Sequence, residues 1–290
     1  MVRGIILIAL IAILSVATAF AEEPVSGKPM APHMTSYASA LEAGAAQHRP
    51  VIVDFYTTWC TWCKRLDTVT YVDPNVIDMF TNEMILVQVD AEVDTMLAKK
   101  YAISGYPTLV MMNSKGEEID RVAGYLPPEE FMKTFRGYKE GKGTLADLLN
   151  QAKSKEDRDL FFQIADKYKY RGGSVDAESW YTKVIGMGKS TDSLSGESRV
   201  AIADIYRRDK NYTKALPMFQ SISKDFTGTP FGEQGDIYTA IVYGKMGDTA
   251  NAIKSFEGFI AKYPKSEDVE YAQKQIEKLK NPPAPEKKSS

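Results

Sequence analysis

Apolar and polar positions change their period several times along the first half of the chain, and each change predicts an element. Thr35 to Gln47 has helical spacing, with Thr35 or Ser36 as its cap. Val51–Tyr56 is a β-branched, nearly unbroken apolar run and predicts a buried parallel strand. From Cys60 to about Thr70 the pattern is helical again. Asp73-Pro74 reads as a cap followed by a first-turn proline, opening a helical stretch through Phe80. Met84–Asp90 alternates as a strand, and Asp94–Tyr101 is helical. Thr108–Met112 and Glu117–Val122 make a hairpin around Asn113-Ser-Lys-Gly116. Pro127-Pro-Glu-Glu-Phe131 opens a closing helix that runs to about Tyr138. Right-handed crossovers make the early strands parallel, so the expected fold is α/β with a central mixed sheet flanked by helices.

Beyond Gly141-Lys-Gly143 the chain is helical and rich in aromatic residues. Residues 205–219 align on 242–256 at an offset of 37, matching Tyr206 with Tyr243, Ala215 with Ala252 and Phe219 with Phe256. Phe226 then meets Tyr263. An earlier unit fits at an offset of 38, with Tyr168 on Tyr206, Ala177 on Ala215 and Tyr181 on Phe219. This spacing resembles tetratricopeptide repeats, in which antiparallel helix pairs hide their apolar faces by stacking. Three units are expected, roughly 156–190, 197–230 and 234–266, with a capping helix from Ser266 through Lys280. Such an array is either a binding surface or a spacer and dimerisation element. Few contacts are expected across the glycine joint, unless the first repeat helix packs over the loop at Tyr106-Pro107.

The N-terminus is organised differently. Arg3, an apolar run from Ile5, and Ala19-Phe-Ala21 before Glu22 have the order of a secretory signal peptide, residues 1–21. An uncleaved membrane anchor is the alternative, since the 17-residue run to Ala21 lies at the short edge of what spans a bilayer. No cysteine follows the cleavage site, which argues against a lipid anchor. Residues 22–34 read as a flexible Pro-rich tether, 35–143 as the α/β domain, 144–280 as the helical repeats and 281–290 as a disordered tail. The net charge of −2 carries no basic stripe, so nothing favours nucleic acid. Export places the protein in the periplasm or outside the cell, where disulfides persist.

The only cysteines, Cys60 and Cys63, lie at the junction of the Val51–Tyr56 strand and the following helix. Unpaired N–H groups at a helix start favour a thiolate, the species that attacks disulfides, and a thiol three residues on can resolve the product. Other readings of the spacing are weaker. Zinc needs four ligands, and only His33 and His48 remain, both upstream and irregularly spaced. Haem attachment needs His where Lys64 stands. A structural bridge over so short a loop gains little from chain entropy. Asp54, on an otherwise apolar strand, is either a buried acid with a raised pKa or an exposed strand residue.

Val53-Asp-Phe-Tyr-Thr-Thr-Trp-Cys-Thr-Trp-Cys-Lys64, Tyr71-Val-Asp-Pro-Asn-Val76, Gly105-Tyr-Pro-Thr108 and Gly124 together resemble the thioredoxin fold. Within it they are similar to the periplasmic C-terminal domain of the transmembrane thiol:disulfide interchange protein. The resemblance implies that Cys60 and Cys63 exchange disulfides and that Asp54 relays protons. It also implies that Pro107 is a cis-proline presenting the Tyr106 backbone to an extended substrate. Trp59, Trp62 and Tyr106 become candidate substrate-binding residues. Asp67, one helical turn from Cys63, either tunes that thiol or is solvated surface. Two departures matter. Thr61-Trp62 stand where thioredoxin has Gly-Pro, and Gln88 stands in place of a lysine that accompanies the buried aspartate.

Two function classes follow. One is an exported thiol–disulfide oxidoreductase needing no cofactor beyond its own disulfide. Its partners would be disulfide-bearing proteins, a separate electron donor or acceptor such as a membrane thiol–disulfide carrier, and a protein held by the repeats. The other is a non-enzymatic peptide-binding adaptor or assembly factor built on the same platform.

Overall fold

The computed structural model describes residues 29–113 and 115–281. The expected signal peptide, most of the expected tether and nearly all of the expected tail lie outside the described residues. The first domain is a five-stranded mixed sheet in the order β1-β3-β2-β4-β5, comprising β1 His33–Met34, β2 Val51–Tyr56, β3 Ile85–Asp90, β4 Thr108–Met112 and β5 Glu118–Ala123. β3 runs parallel to β1 and β2, while β4 is antiparallel to β2 and β5. The helices are α1 Tyr37–Gln47, α2 Thr61–Arg65, α3 Pro74–Asn82, α4 Thr95–Lys100 and α5 Pro128–Lys139.

Strand alternation sorts β2 between two cores. Val51, Val53 and Phe55 pack with Ala40, Val87 and Tyr101. Ile52, on the opposite face, packs with Leu66, Tyr71, Phe131 and Phe135. Two-sided burial is why β2 lacks the usual polar alternation. Ser36 caps α1 and Asp73 caps α3 ahead of Pro74, each accepting backbone N–H bonds from the first turn. The helix expected from Cys60 to Thr70 is not uniform. α2 gives way to a wider π-helical turn over Leu66–Thr70, closed by the Tyr71 N–H on the Leu66 carbonyl at 2.8 Å.

The tether expected through residue 34 ends too late. Ala31 is buried, its N–H donates to the Tyr71 carbonyl at 2.7 Å, and His33–Met34 pair with Leu86–Val87. A two-residue edge strand leaves almost no period in the sequence, and Pro32 beside it reads as loop.

Among the described residues the second half is helical: α6 Leu145–Gln151, α7 Arg158–Lys169, α8 Ser174–Gly186, α9 Ser193–Arg208, α10 Tyr212–Asp225, α11 Pro230–Lys245, α12 Thr249–Lys262 and α13 Val269–Lys280. The three expected pairs are α7/α8, α9/α10 and α11/α12, followed by α13. The second and third pairs begin about one turn earlier than expected, at Ser193 and Pro230, because Asp192 and Thr229 cap them. Helix α6 had no expectation. The aligned residues occupy equivalent buried places: Ala177, Ala215 and Ala252, then Tyr181, Phe219 and Phe256. Small residues let neighbouring helices approach. A Cβ on Gly235 of α11 would lie 2.5 Å from the Ser223 backbone nitrogen of α10.

The contacts across the glycine joint are few, as expected, but they are specific and polar. Asp120 of β5 is fully buried and accepts from Lys167 Nζ at 2.6 Å, Arg171 Nη2 at 2.9 Å and the Leu145 N–H at 2.5 Å. Arg171 also pairs with Glu118 at 3.1 Å. A carboxylate without exposure is tolerated because several charged and backbone donors surround it. Sequence spacing gave no hint that β5 and α7 would meet.

Candidate active site

Cys60 and Cys63 form a disulfide. Cys60 is the N-cap of α2, and its sulfur accepts the Cys63 N–H at 3.0 Å. Strand β2 and the turn at Thr57 deliver it there, the Cys60 N–H bonding the Thr57 carbonyl at 3.2 Å. The orphan N–H groups of the first turn supply partial positive charge that stabilises negative charge on Cys60 sulfur once the bridge is opened. Exposure does not separate the two cysteines, at 4% for Cys60 and 3% for Cys63. Their difference is position along the helix.

Asp54 shares the Ile52 face of β2 and is 1% exposed. Its Oδ2 accepts the Tyr71 hydroxyl at 3.0 Å and Gln88 Nε2 at 3.4 Å, while its buried Oδ1 has no partner. Burial pushes its carboxyl up to about 7, against the lowering effect of the Gln88 and Tyr71 hydrogen bonds, with the Asp67 charge adding to the rise. Asp54 is thus the buried acid of the two sequence readings, and the exposed-strand alternative is set aside.

Asp67 is drawn into the same network. Gln88 Nε2 donates to its Oδ1 at 3.0 Å, so one amide nitrogen bridges both carboxylates. Half-burial raises the Asp67 carboxyl, and the Gln88 bond and the nearby His33 oppose the rise. Asp67 therefore joins Asp54 and is not plain solvated surface. The Tyr71 hydroxyl, buried against the two acids, is held well above its ordinary range. The sequence motif around Tyr71 gave no sign of this role. The contact arises because the wide turn at Leu66–Thr70 sets the ring on the Asp54 face.

Aromatic side chains flank the disulfide. Trp59 is 63% exposed and Trp62 57% exposed. Trp59 Nε1 donates to Glu92 Oε1 at 2.9 Å, and its ring meets Tyr106 edge-on at 5.9 Å. Trp62 lies 5.7 Å from Tyr125, over which the Arg65 guanidinium sits at 5.5 Å. The Tyr106–Pro107 peptide is cis. Nothing in the sequence pattern singles out Glu92 or Tyr125, because both lie in loops. Among the described residues no cluster of three His, Cys, Asp or Glu side chains could hold a metal ion.

Residues 37–139 match the model of a thioredoxin-like domain, and residues 237–266 match that of a tetratricopeptide repeat. Residues 37–139 thus form a thioredoxin-like domain with a Cys-x-x-Cys disulfide, followed by a helical region in which residues 237–266 match a tetratricopeptide repeat. Among characterised proteins it is similar to the thiol:disulfide interchange protein DsbD of Ralstonia nicotianae, 31% identical over 101 residues that cover 33% of this chain and 17% of the relative. DsbD of Yersinia pestis is 36% identical over 95 residues, 30% of this chain and 16% of the relative. The chain spans less than a fifth of the length of these relatives. The solved C-terminal domain of DsbD from Neisseria meningitidis, in the oxidised form, is 23% identical, covering 37% of this chain and 99% of that one with a TM-score of 0.31.

Proposed function

We propose that this chain is an exported thiol–disulfide oxidoreductase acting on disulfides of proteins, with its repeats recruiting a partner. The observation that carries the reading is the Cys60–Cys63 pair at the start of α2, with the buried Asp54 on the strand that leads into it. In the reducing direction the Cys60 thiolate attacks a substrate sulfur, forming a mixed disulfide and expelling one substrate thiolate. Cys63, deprotonated, attacks Cys60 sulfur, closes the Cys60–Cys63 bridge and expels the second. Two electrons pass to the substrate, and Asp54, with a carboxyl near neutrality, takes the Cys63 proton. The Cys60–Cys63 pair itself carries the two electrons of this exchange. A separate thiol carrier, such as a membrane thiol–disulfide protein, re-reduces the pair.

Trp59, Trp62 and Tyr106 supply an apolar rim, and substrate backbone pairs beside Pro107. Export rests on the N-terminal pattern. Among the described residues no helix is long and apolar enough to cross a membrane.

The test is reduction of insulin with dithiothreitol as donor. Wild type should accelerate precipitation, and the Cys60→Ser/Cys63→Ser variant should not. Equal rates for the two proteins would reject the enzyme and leave the peptide-binding adaptor. The reduction potential then assigns direction, near about −270 mV for a reductant and near about −120 mV for an oxidant.

A further inference from the structure

The loop from Ala102 to Tyr106 links α4 to β4 and ends at the residue preceding Pro107. The repeats reach the loop or the residue before it at three places, the first by way of Arg121 of β5. Arg121, a buried residue of β5, donates from one nitrogen, Nη1, to the Tyr101 carbonyl at 2.7 Å and to the Tyr170 carbonyl at 2.7 Å. Tyr101 enters the loop, and Tyr170 ends α7, so one guanidinium nitrogen joins the loop to the first repeat turn. At the next residues, Gly172 faces Ala102. A Cβ on Gly172 would lie 3.1 Å from the Ala102 Cβ, and both residues have positive φ, +76° and 52°. Further along, Arg208 at the end of α9 donates from Nη1 to the Ser104 carbonyl at 3.4 Å.

These contacts are separate from the Asp120 cluster that also joins the two halves. They fall on the loop that leads into the cis Tyr106–Pro107 peptide. The same loop carries Tyr106, whose ring braces the exposed Trp59. The loop has bonds of its own at Ala102, Ile103 and Gly105, and the added contacts at Tyr101 and Ser104 hold a binding wall more closely to one geometry.

We propose that the first two repeat turns support the Ala102–Tyr106 loop as one wall of the polypeptide-binding surface. Arg121 is the positioning residue of that support. This inference rests on the proposed disulfide exchange. It gives the repeats a role in the reaction that does not depend on any recruited partner. Repeat turn and loop carbonyl share one guanidinium nitrogen, so displacement of the turn reaches the substrate loop directly.

The experiment uses the full chain with Arg121→Lys and Arg208→Ala. Lysine keeps the charge facing Glu118, but its single nitrogen cannot hold Glu118 as Nε and Nη2 do and also serve both carbonyls as Nη1 does. With insulin as substrate, Arg121→Lys should raise KM about fivefold while kcat stays within about twofold of wild type. Arg208→Ala, at an exposed position, should raise KM about twofold in the same sense. Amide hydrogen exchange over residues 102–106 should quicken in both variants well below their melting temperatures, a readout that needs no catalysis. A lowered melting temperature with unchanged KM and unchanged loop exchange would overturn the inference, since the arginines would then serve only general stability. If Arg121→Lys does not fold, Arg208→Ala decides by the same two readouts. A wild-type chain that reduces neither insulin nor a small aromatic disulfide would instead defeat the proposed function, while loop exchange would still report on the support.

Discussion

The Tyr71 hydroxyl donates to Asp54 Oδ2 at 3.0 Å, joining a residue just past the active-site helix to the strand that leads into it. This bond and that of Gln88 satisfy one carboxylate oxygen and leave the other buried without a partner. An acid held this way is poised to exchange a proton near neutral pH.

Stability should carry the signature of that acid. Its folded pKa, about 7, lies above the ordinary carboxylate value, so the native state binds a proton that the unfolded chain releases. Asp54 therefore contributes most below about pH 4, and the contribution is lost as pH rises through about 7. Asp54→Asn removes this dependence. Its stability relative to wild type should improve by up to roughly 4 kcal/mol between about pH 4 and about pH 8. Urea unfolding at both pH values checks this, and insulin turnover by the variant should slow at neutral pH.

Gln88 should set where that titration falls. Gln88→Leu removes the amide that both carboxylates accept, so each carboxyl should rise further. The midpoint in the pH dependence of kcat/KM should move upward by roughly one unit, the equivalent of one lost hydrogen bond to a charged group. A midpoint that stays in place would show that Gln88 only packs.

The two cysteines should behave differently although they are equally buried. Cys60 occupies the N-cap, where the Cys63 N–H reaches its sulfur, so Cys60 attacks and Cys63 resolves. Cys63→Ser should accumulate mixed disulfides with oxidised substrates on non-reducing gels, and Cys60→Ser should not. The reverse pattern would exchange the roles.

Asp120 should couple the halves. Asp120→Asn leaves Lys167 and Arg171 without their shared carboxylate. The loss should be about 3 kcal/mol, the lower end of the range for breaking a buried ion pair. In wild type, circular dichroism and tryptophan fluorescence should report one urea transition. In the variant the transition should move to lower urea and separate into two.

The sequence by itself determined most of the elements and the place of the cysteine pair. Two-sided burial made β2 a continuous apolar run, and Cys60 and Cys63 followed it at a helix start. Repeated alanines and aromatics near 37-residue spacing marked the stacked helix pairs, because each stack buries the same positions. Only the tertiary structure decided which polar groups share an environment. Gln88 lies 34 residues from Asp54 and 21 from Asp67, yet one nitrogen serves both because β3 pairs with β2 beside the wide helical turn. Asp120 meets Lys167, and Arg121 meets Tyr170, only once the repeats dock on β5. Local periodicity reports which face of an element is apolar. Docking depends on a few specific polar contacts between distant segments, and those leave no period in the chain.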